Sequence, residues 1–348
     1  MLKYILLCLF SLPAQAQAQA QELLPAGIGL WQVGVRHYTP QTEGYNEDGK
    51  KVPIADSMPG TTDTLNQFGL GITASADIDA YIFGMSYGLT PYITVFAGIP
   101  FIQANINQQL IYNKNNPETI DKAMANLGYG PLGHLARSGF GDLVVGMRTE
   151  YYLLGANVVL EANASIPTGY VKNPDILQDA SFGSGYFTFG LGFTPKYTLG
   201  DWHIAMPLGY KASPVGYQTL RLPDSASSFS DRSHQKILQI YPGQEYDAAL
   251  NTGYKIGIVE IEEQIGMTHH FHDVYNGPYI GDFEFLEQGT DKLHEYNLIS
   301  ASVNTAHLFQ QGIFPVPFIV ELDYFQTLGG YNVVDETYLQ VTFTSFFN

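Results

Sequence analysis

The chain of 348 residues contains one cysteine, Cys8, and it lies in the first short apolar stretch. Beyond it there is no thiol, so disulfide frameworks, thiolate metal sites and cysteine nucleophiles are excluded from the remaining chain. Charge is also scarce: Asp, Glu, Lys and Arg make up 14% of the residues, against about 25% in an ordinary soluble domain. Basic residues are the scarcer sign. There are 16 Lys and Arg against 33 Asp and Glu, a net charge of −17 that falls by one more without Lys3. This balance argues against nucleic acid as a partner and slows the approach of anionic solutes. Tryptophan is rare, with 2 residues, although 24 Tyr and 21 Phe bring the aromatics to 14%. No stretch after residue 20 is apolar for anything near the ~18 residues of a transmembrane helix.

The opening residues, MLKYILLCLFSLPAQAQAQA, carry one Lys, a short apolar run and repeated Ala-x-Ala. They are expected to be a secretory signal peptide over 1–20, cleaved after Ala16, Ala18 or Ala20. Leu7 stands where a lipidated cysteine would want a small neighbour, which argues against a lipoprotein. Residues 21–348 are then expected to form a single domain.

Periodicity supplies the fold. Between 138 and 170, Leu143, Val145, Met147, Thr149 and Tyr151 share one parity, while Asp142, Arg148 and Glu150 share the other. After LLGA the same pattern returns with Ala156, Val158, Leu160 and Ala162 opposite Asn157, Glu161 and Asn163. Side chains of a strand alternate sides, so this is a hairpin with one apolar and one polar face. Twelve such runs occur, roughly 27–37, 72–88, 92–106, 140–153, 156–167, 185–199, 202–213, 245–257, 259–271, 294–306, 316–328 and 336–347. Short links alternate with the long connections 38–71, 107–139, 168–184, 214–244 and 272–293, and a shorter 329–335. A soluble sandwich has no reason for that alternation; a transmembrane barrel does, because its periplasmic turns are short and its extracellular loops long. The expected fold is therefore all-β: a transmembrane antiparallel up-and-down β-barrel of about twelve strands, closed so that no edge meets lipid.

Two runs fit less simply. VEIEEQIGMTHHF breaks parity at Glu262–Glu263, which predicts a bulge or a misplaced boundary there. The 72–88 run is polar at its start, which predicts a ribbon extending beyond the membrane. Pro117, early acids and Gly128 predict a short helix over 116–128. The last strand, TYLQVTFTSFFN, places Leu339, Val341, Phe343 and Phe347 on one side. It resembles the signal by which the barrel assembly machinery recognises its substrates, except that Asn348 follows the aromatic.

The segments YGLTPYITVFAGIPF, GFGDLVVGMR, ASIPTGY and FGSGYFTFGLG occur in this order. Together, over roughly residues 80–215, they resemble the exported barrel family named for the meta-pathway of phenol degradation. The resemblance implies an outer-membrane channel for aromatic or other small organic compounds.

The inward charges are the candidate pore-lining residues: Arg36, Asp142, Arg148, Glu150, Glu161, Lys196, Lys211, Asp247, Lys255, Glu321 and Asp323. A basic side chain facing lipid at mid-depth costs about 2–4 kcal/mol, so these belong inside. They either line a polar pore that selects solutes by charge and size, or pair across strands and plug it. His270 and His272, two apart in MTHHFHD, are weak candidates for a metal, with a solvated rim cluster as the plainer alternative. Glu43, Glu47 and Asp48 could hold divalent cations that bridge lipopolysaccharide, or serve as ordinary solvating charge. No GxSxG elbow is present, the glycine-rich stretches lack the lysine of a phosphate loop, and His203 falls inward near the periplasmic end. The expected function is passive passage of a small organic solute, without cofactor, with outer-membrane lipid and lipopolysaccharide as surroundings. A barrel enzyme of lipase or protease type and a structural or adhesion barrel are the alternatives.

Overall fold

The computed structural model describes residues 23–54, 70–112, 122, 124–130, 133–176, 179–222, 232–277, 283, 287 and 289–347. The expected leader lies outside them, as does most of the expected helix over 116–128, of which Lys122 and residues 124–126 are helical. Twelve antiparallel strands form one closed sheet. In chain order they are β1 (Gly29–Tyr38), β2 (Leu70–Thr90), β3 (Ile93–Tyr112), β4 (His134–Phe140 and Leu143–Leu153), β5 (Ala156–Ile166), β6 (Thr188–Leu199), β7 (Trp202–Ala205 and Leu208–Ala212), β8 (Glu245–Ile256), β9 (Val259–His270), β10 (Lys292–Asn304), β11 (Phe318–Tyr331) and β12 (Thr337–Phe347). Each strand pairs with its neighbours in sequence, and β1 pairs with β12 from Gly29↔Phe347 to Tyr38↔Tyr338. The interruptions in β4 and β7 are spanned by backbone bonds from Gly141 to Pro100 and from Met206 to Pro195.

One end of the barrel carries both ends of the sheet and the short connections; the other carries the long ones. The short links are local chain chemistry. At Leu154–Gly155 both residues take positive φ, 53° and 85°, the two-residue turn whose twist matches a hairpin. Between β10 and β11 the chain instead turns through a short helix, Ala306–Gln310.

Around the turn-end half, alternate side chains stand exposed: Phe189, Leu191 and Phe193 on β6, Ile261, Ile265 and Met267 on β9, and Leu339, Val341 and Phe343 on β12. Their partners in the alternation, such as Thr342 and Thr344, are buried inside. An apolar belt of this extent around a sheet without edges is stable in hydrocarbon and not in water.

Above the belt the same parity carries the opposite chemistry. β2 and β3 run for 21 and 20 residues, longer than a tilted crossing of the bilayer requires. In their upper parts Ile78, Ala80, Ile102, Ala104 and Ile106 face inward and are buried. Asp77, Gln103 and Asn105 face out. This is the ribbon beyond the membrane that the polar start of the 72–88 run predicts. Its inner face packs on Met124, Tyr129, Ala180 and Phe182 from the connections and on Tyr296, Phe325 and Tyr338 from the far wall, so a hydrophobic core fills part of the loop end. Two small sheets cover that end: Glu43–Tyr45 with Lys51–Pro53 and Val333–Val334, and Gly216–Arg221 with Gln235–Tyr241 and Val274–Asn276. They fall in stretches read from sequence only as loops, because strands of two to seven residues carry too little alternation to register.

The parity break at Glu262–Glu263 is not a bulge. β9 pairs with β8 and β10 over its whole length without a register shift. The ladder stays regular because Glu263 simply faces outward, where Asn297 Nδ2 donates to its Oε1 at 3.3 Å. The irregularity in this wall lies between Glu295 and Tyr296 of β10 instead.

Candidate functional site

The interior holds two adjoining spaces. The larger, about 370 Å³, is lined by Phe96, Phe182, Tyr186 and Tyr296 among apolar groups and by Arg36, Arg148 and Lys211 among charged ones. The smaller, about 130 Å³, lies against Glu161, Asp247 and Gln264. Arg148, Asn163, Lys211 and Tyr296 line both and mark the level where they adjoin, the neck. Tyr186 precedes β6, and burial pushes its phenol far above the ordinary value, with Asp273 and Glu245 adding to the effect, so it stays a neutral hydroxyl.

The neck residues are held by acids on adjacent strands. Arg148 lies opposite Glu161 in the β4–β5 register. It donates to Glu161 Oε2 from Nη2 at 2.7 Å and Nε at 3.2 Å, with its guanidinium 5.3 Å from the Phe96 ring. Asn163 Nδ2 steadies the other oxygen of Glu161 at 3.0 Å. Lys211 pairs with Glu245 directly and with Asp247 at 3.6 Å. Asp142 acts on the backbone instead. It accepts from the N–H groups of Gly169 and Ser184 at 2.9 and 2.7 Å, tying the connection after β5 to the wall.

A second polar row crosses the inside obliquely, from near the turn end at β7 to the loop end at β1. Following the ladder from β7 to β1, one row reads His203, Gly253, Glu262, Ser300, Asp323, Gln340 and Arg36. At its β1 end Arg36 donates to Gln340 Oε1 at 2.8 Å and to the Tyr38 hydroxyl at 3.1 Å, and stacks 4.1 Å from the Tyr338 ring. Gln340 passes the contact to Asp323 at 3.1 Å, and Ser300 holds the other oxygen of Asp323 at 2.7 Å. Inward aromatics continue from Tyr338 through Phe325 to Tyr296, with centroids 4.7 and 5.5 Å apart. Glu321 lies on the next row, opposite Ser302, and is also buried.

The candidate residues thus fall into three groups. Arg148 with Glu161 and Lys211 with Asp247 come together at the neck; Arg36 and Asp323 belong to the oblique row, and Glu321 lies beside it. Glu150 and Lys196 face inward half-buried without joining either, and Lys255 is exposed opposite Glu260. Of the histidine pair, His270 turns to Asp273 at 3.0 Å, while His272 is exposed. Glu43 pairs with Lys51 at 2.9 Å and Asp48 with Lys50 at 3.2 Å on the outer sheet, and Glu47 is exposed.

Sequence reasoning missed Glu260 and Glu262. Both face inward beside His203, whose ring nitrogens lie 3.2 Å from Glu260 Oε1 and 3.1 Å from Glu262 Oε1. Counting outward from the Gly257–Ile258 turn would have found them, since that register sets Glu262 opposite Gly253 and Glu260 opposite Lys255.

No family model matches the chain, and no curated protein is similar to it in sequence. Among solved structures it is similar to an outer membrane channel from Pseudomonas putida F1, with a TM-score of 0.59 and 14% identity over 94% of this chain and 97% of that one. Looser likenesses are to the translocator domain of the autotransporter NalP from Neisseria meningitidis, with a TM-score of 0.43 and 8% identity over 95% and 92% of the two chains, and to a deletion mutant of the monoaromatic hydrocarbon channel TodX, with 0.40 and 11% over 92% and 91%. At these identities the likeness is one of fold: the chain is a closed twelve-stranded antiparallel barrel of the outer-membrane type.

Proposed function

We propose that the chain is exported through a cleaved leader and works in a Gram-negative outer membrane as a channel for passive passage of a small organic solute. The observation that carries this reading is the pair of adjoining spaces inside the wall. The larger, at about 370 Å³, matches the size of small-ligand sites. It also mixes aromatic surface with a few fixed charges, which suits an aromatic solute bearing a polar group. The P. putida F1 barrel, to which the chain is similar along nearly its whole length, is an outer membrane channel. The four ordered motifs between residues 80 and 215 favour the phenol meta-pathway family for the same role. In this reading the belt contacts lipid, the last strand is the handle for the assembly machinery, and the acids of the outer sheet face lipopolysaccharide. No residue is assigned a catalytic role.

Planar-bilayer recording of the purified barrel tests it. A channel gives discrete conductance steps, and Arg148→Gln moves the ion preference toward cations, because Glu161 then stands at the neck without its counter-charge. A barrel that gives no steps, and whose presence leaves entry of a small aromatic acid into proteoliposomes unchanged, overturns the reading.

A further inference from the structure

We infer that His203, Glu260 and Glu262, with Asn251 beside them, form a divalent-cation site on the inner wall near the turn end. The first three offer ligand atoms that all lie within 4.8 Å of one another. They come from two separate hairpins, so the closed wall and not a local sequence motif brings them together.

The site is built to hold the imidazole in place. His203 is opposite Gly253, and a Cβ at Gly253 would sit 2.1 Å from His203 Cε1. The absent side chain is therefore the bed on which the ring lies, and any other residue there would push it off Glu260 and Glu262. The ring is buried, with 6% of its side chain exposed, while Glu260 and Glu262 keep 28% and 19%. Partly exposed carboxylates beside a buried imidazole suit a metal that arrives from the lumen.

A second observation points to a ligand. Asn251 is 3% exposed, and its Oδ1 is buried without a hydrogen-bond partner. Its Nδ2 donates to Glu262 Oε2 at 3.0 Å, so the amide is clamped to the cluster. Flipping the amide would turn its oxygen toward a carboxylate, so the flip does not relieve the orphan. A buried carbonyl oxygen left unpaired costs about 1–3 kcal/mol, and a cation recovers that cost.

The donor set selects the class of ion. One imidazole nitrogen with carboxylate and amide oxygens favours first-row transition ions such as Zn²⁺ over Ca²⁺ and Mg²⁺, which take oxygen alone. Tetrahedral zinc with ligands near 2.1 Å sets them about 3.4 Å apart, close to the 3.1 Å between His203 Nε2 and Glu262 Oε1. A single ring can give one nitrogen to one ion; the other then donates to the second carboxylate, as metal-bound histidines commonly do.

The test is a calorimetric titration of Zn²⁺ into the purified full chain in detergent, with Ca²⁺ titrated in parallel. The expected result is one saturable Zn²⁺ site per chain, weakened at least about tenfold by His203→Gln and by Asn251→Ala. His270→Gln at the loop end should leave it unchanged, and Ca²⁺ should bind far more weakly. Each variant is first checked for the heat-sensitive gel mobility of a closed barrel, and the two independent substitutions keep the test open if one fails to close. Absence of a Zn²⁺ site, equal affinity for Ca²⁺, or a site removed by His270→Gln and not by the others overturns the inference. None of these readouts depends on whether the barrel conducts.

Discussion

Replacing Glu263 by leucine should make this barrel more stable. Glu263 stands four residues from the turn-end start of β9 at Val259. With a rise near 3.4 Å per residue and a tilt near 40°, that places it about 10 Å above the turn, close to the middle of an apolar band about 25 Å tall. Its outward neighbours on the same strand are Ile261 and Ile265, and Ile299 lies opposite. A basic residue at that depth costs about 2–4 kcal/mol and an acid less. The bond from Asn297 at 3.3 Å returns about 0.5–1 kcal/mol of that. Glu263→Leu should therefore raise the unfolding free energy by about 1 kcal/mol, and the reverse change next to it, Ile261→Glu, should lower it by about 1–2 kcal/mol. The assay is equilibrium urea unfolding of the refolded barrel in phospholipid vesicles, with the slope checked for constancy. A Glu263→Leu barrel that is less stable, or an Ile261→Glu barrel that loses nothing, would show that this face of β9 does not meet lipid.

Three further outcomes are expected. Arg148→Gln should cost about 2–4 kcal/mol, below the full value for stranding a buried charge because Glu161 keeps its bond to Asn163. Adding Glu161→Gln should recover part of the loss, and a double-mutant cycle with coupling under about 0.5 kcal/mol would refute the pairing. Glu336, in the connection before β12, is pushed up to about 8 by burial, which outweighs the pull of Arg36. Its folded value exceeds its unfolded one, so its contribution to stability is full below about pH 4.5 and is lost as pH rises toward 8. The unfolding midpoint should fall over that window and level off above it, and Glu336→Gln should remove most of the slope. Arg221 is fully buried at the end of Gly216–Arg221 in the second small sheet, where it reaches Asp175 at 2.6 Å and the Tyr129 ring at 4.0 Å. Arg221→Gln should expose the loop end to limited proteolysis while the barrel keeps its gel mobility; unchanged cleavage would count against that anchor.

The barrel was legible because alternation is a local signal that survives without any tertiary information. Runs such as Phe318–Tyr331 state their own two faces, and short links such as Leu154–Gly155 state which strands are neighbours. The ribbon above the membrane was half legible: its polar start was visible, but not that Ile78 and Ile102 would face inward there. That reversal depends on where the lipid ends, which no single strand records. The neck pair Arg148 and Glu161 could be named, since one hairpin carries both. The cluster of His203, Glu260 and Glu262 could not, for two reasons. It spans two hairpins joined by a long connection, and the polar Glu263 imitated a bulge, which hid the correct face of its neighbour. A deviation from alternation can mean a break in the ladder or a misplaced polar group, and only the pairing partner distinguishes them.

The pairing of β1 with β12 joins residues near position 30 to residues near position 345. Until that contact forms, every arc of the wall presents two raw margins of unsatisfied peptide groups, and in oil neither can be wetted. A polypeptide trimmed of its final strand is therefore not a slightly weaker cylinder but an open gutter that must borrow a strand or remain outside the bilayer. Assembly must keep the first strand waiting, its margin guarded, until the whole sequence has been delivered.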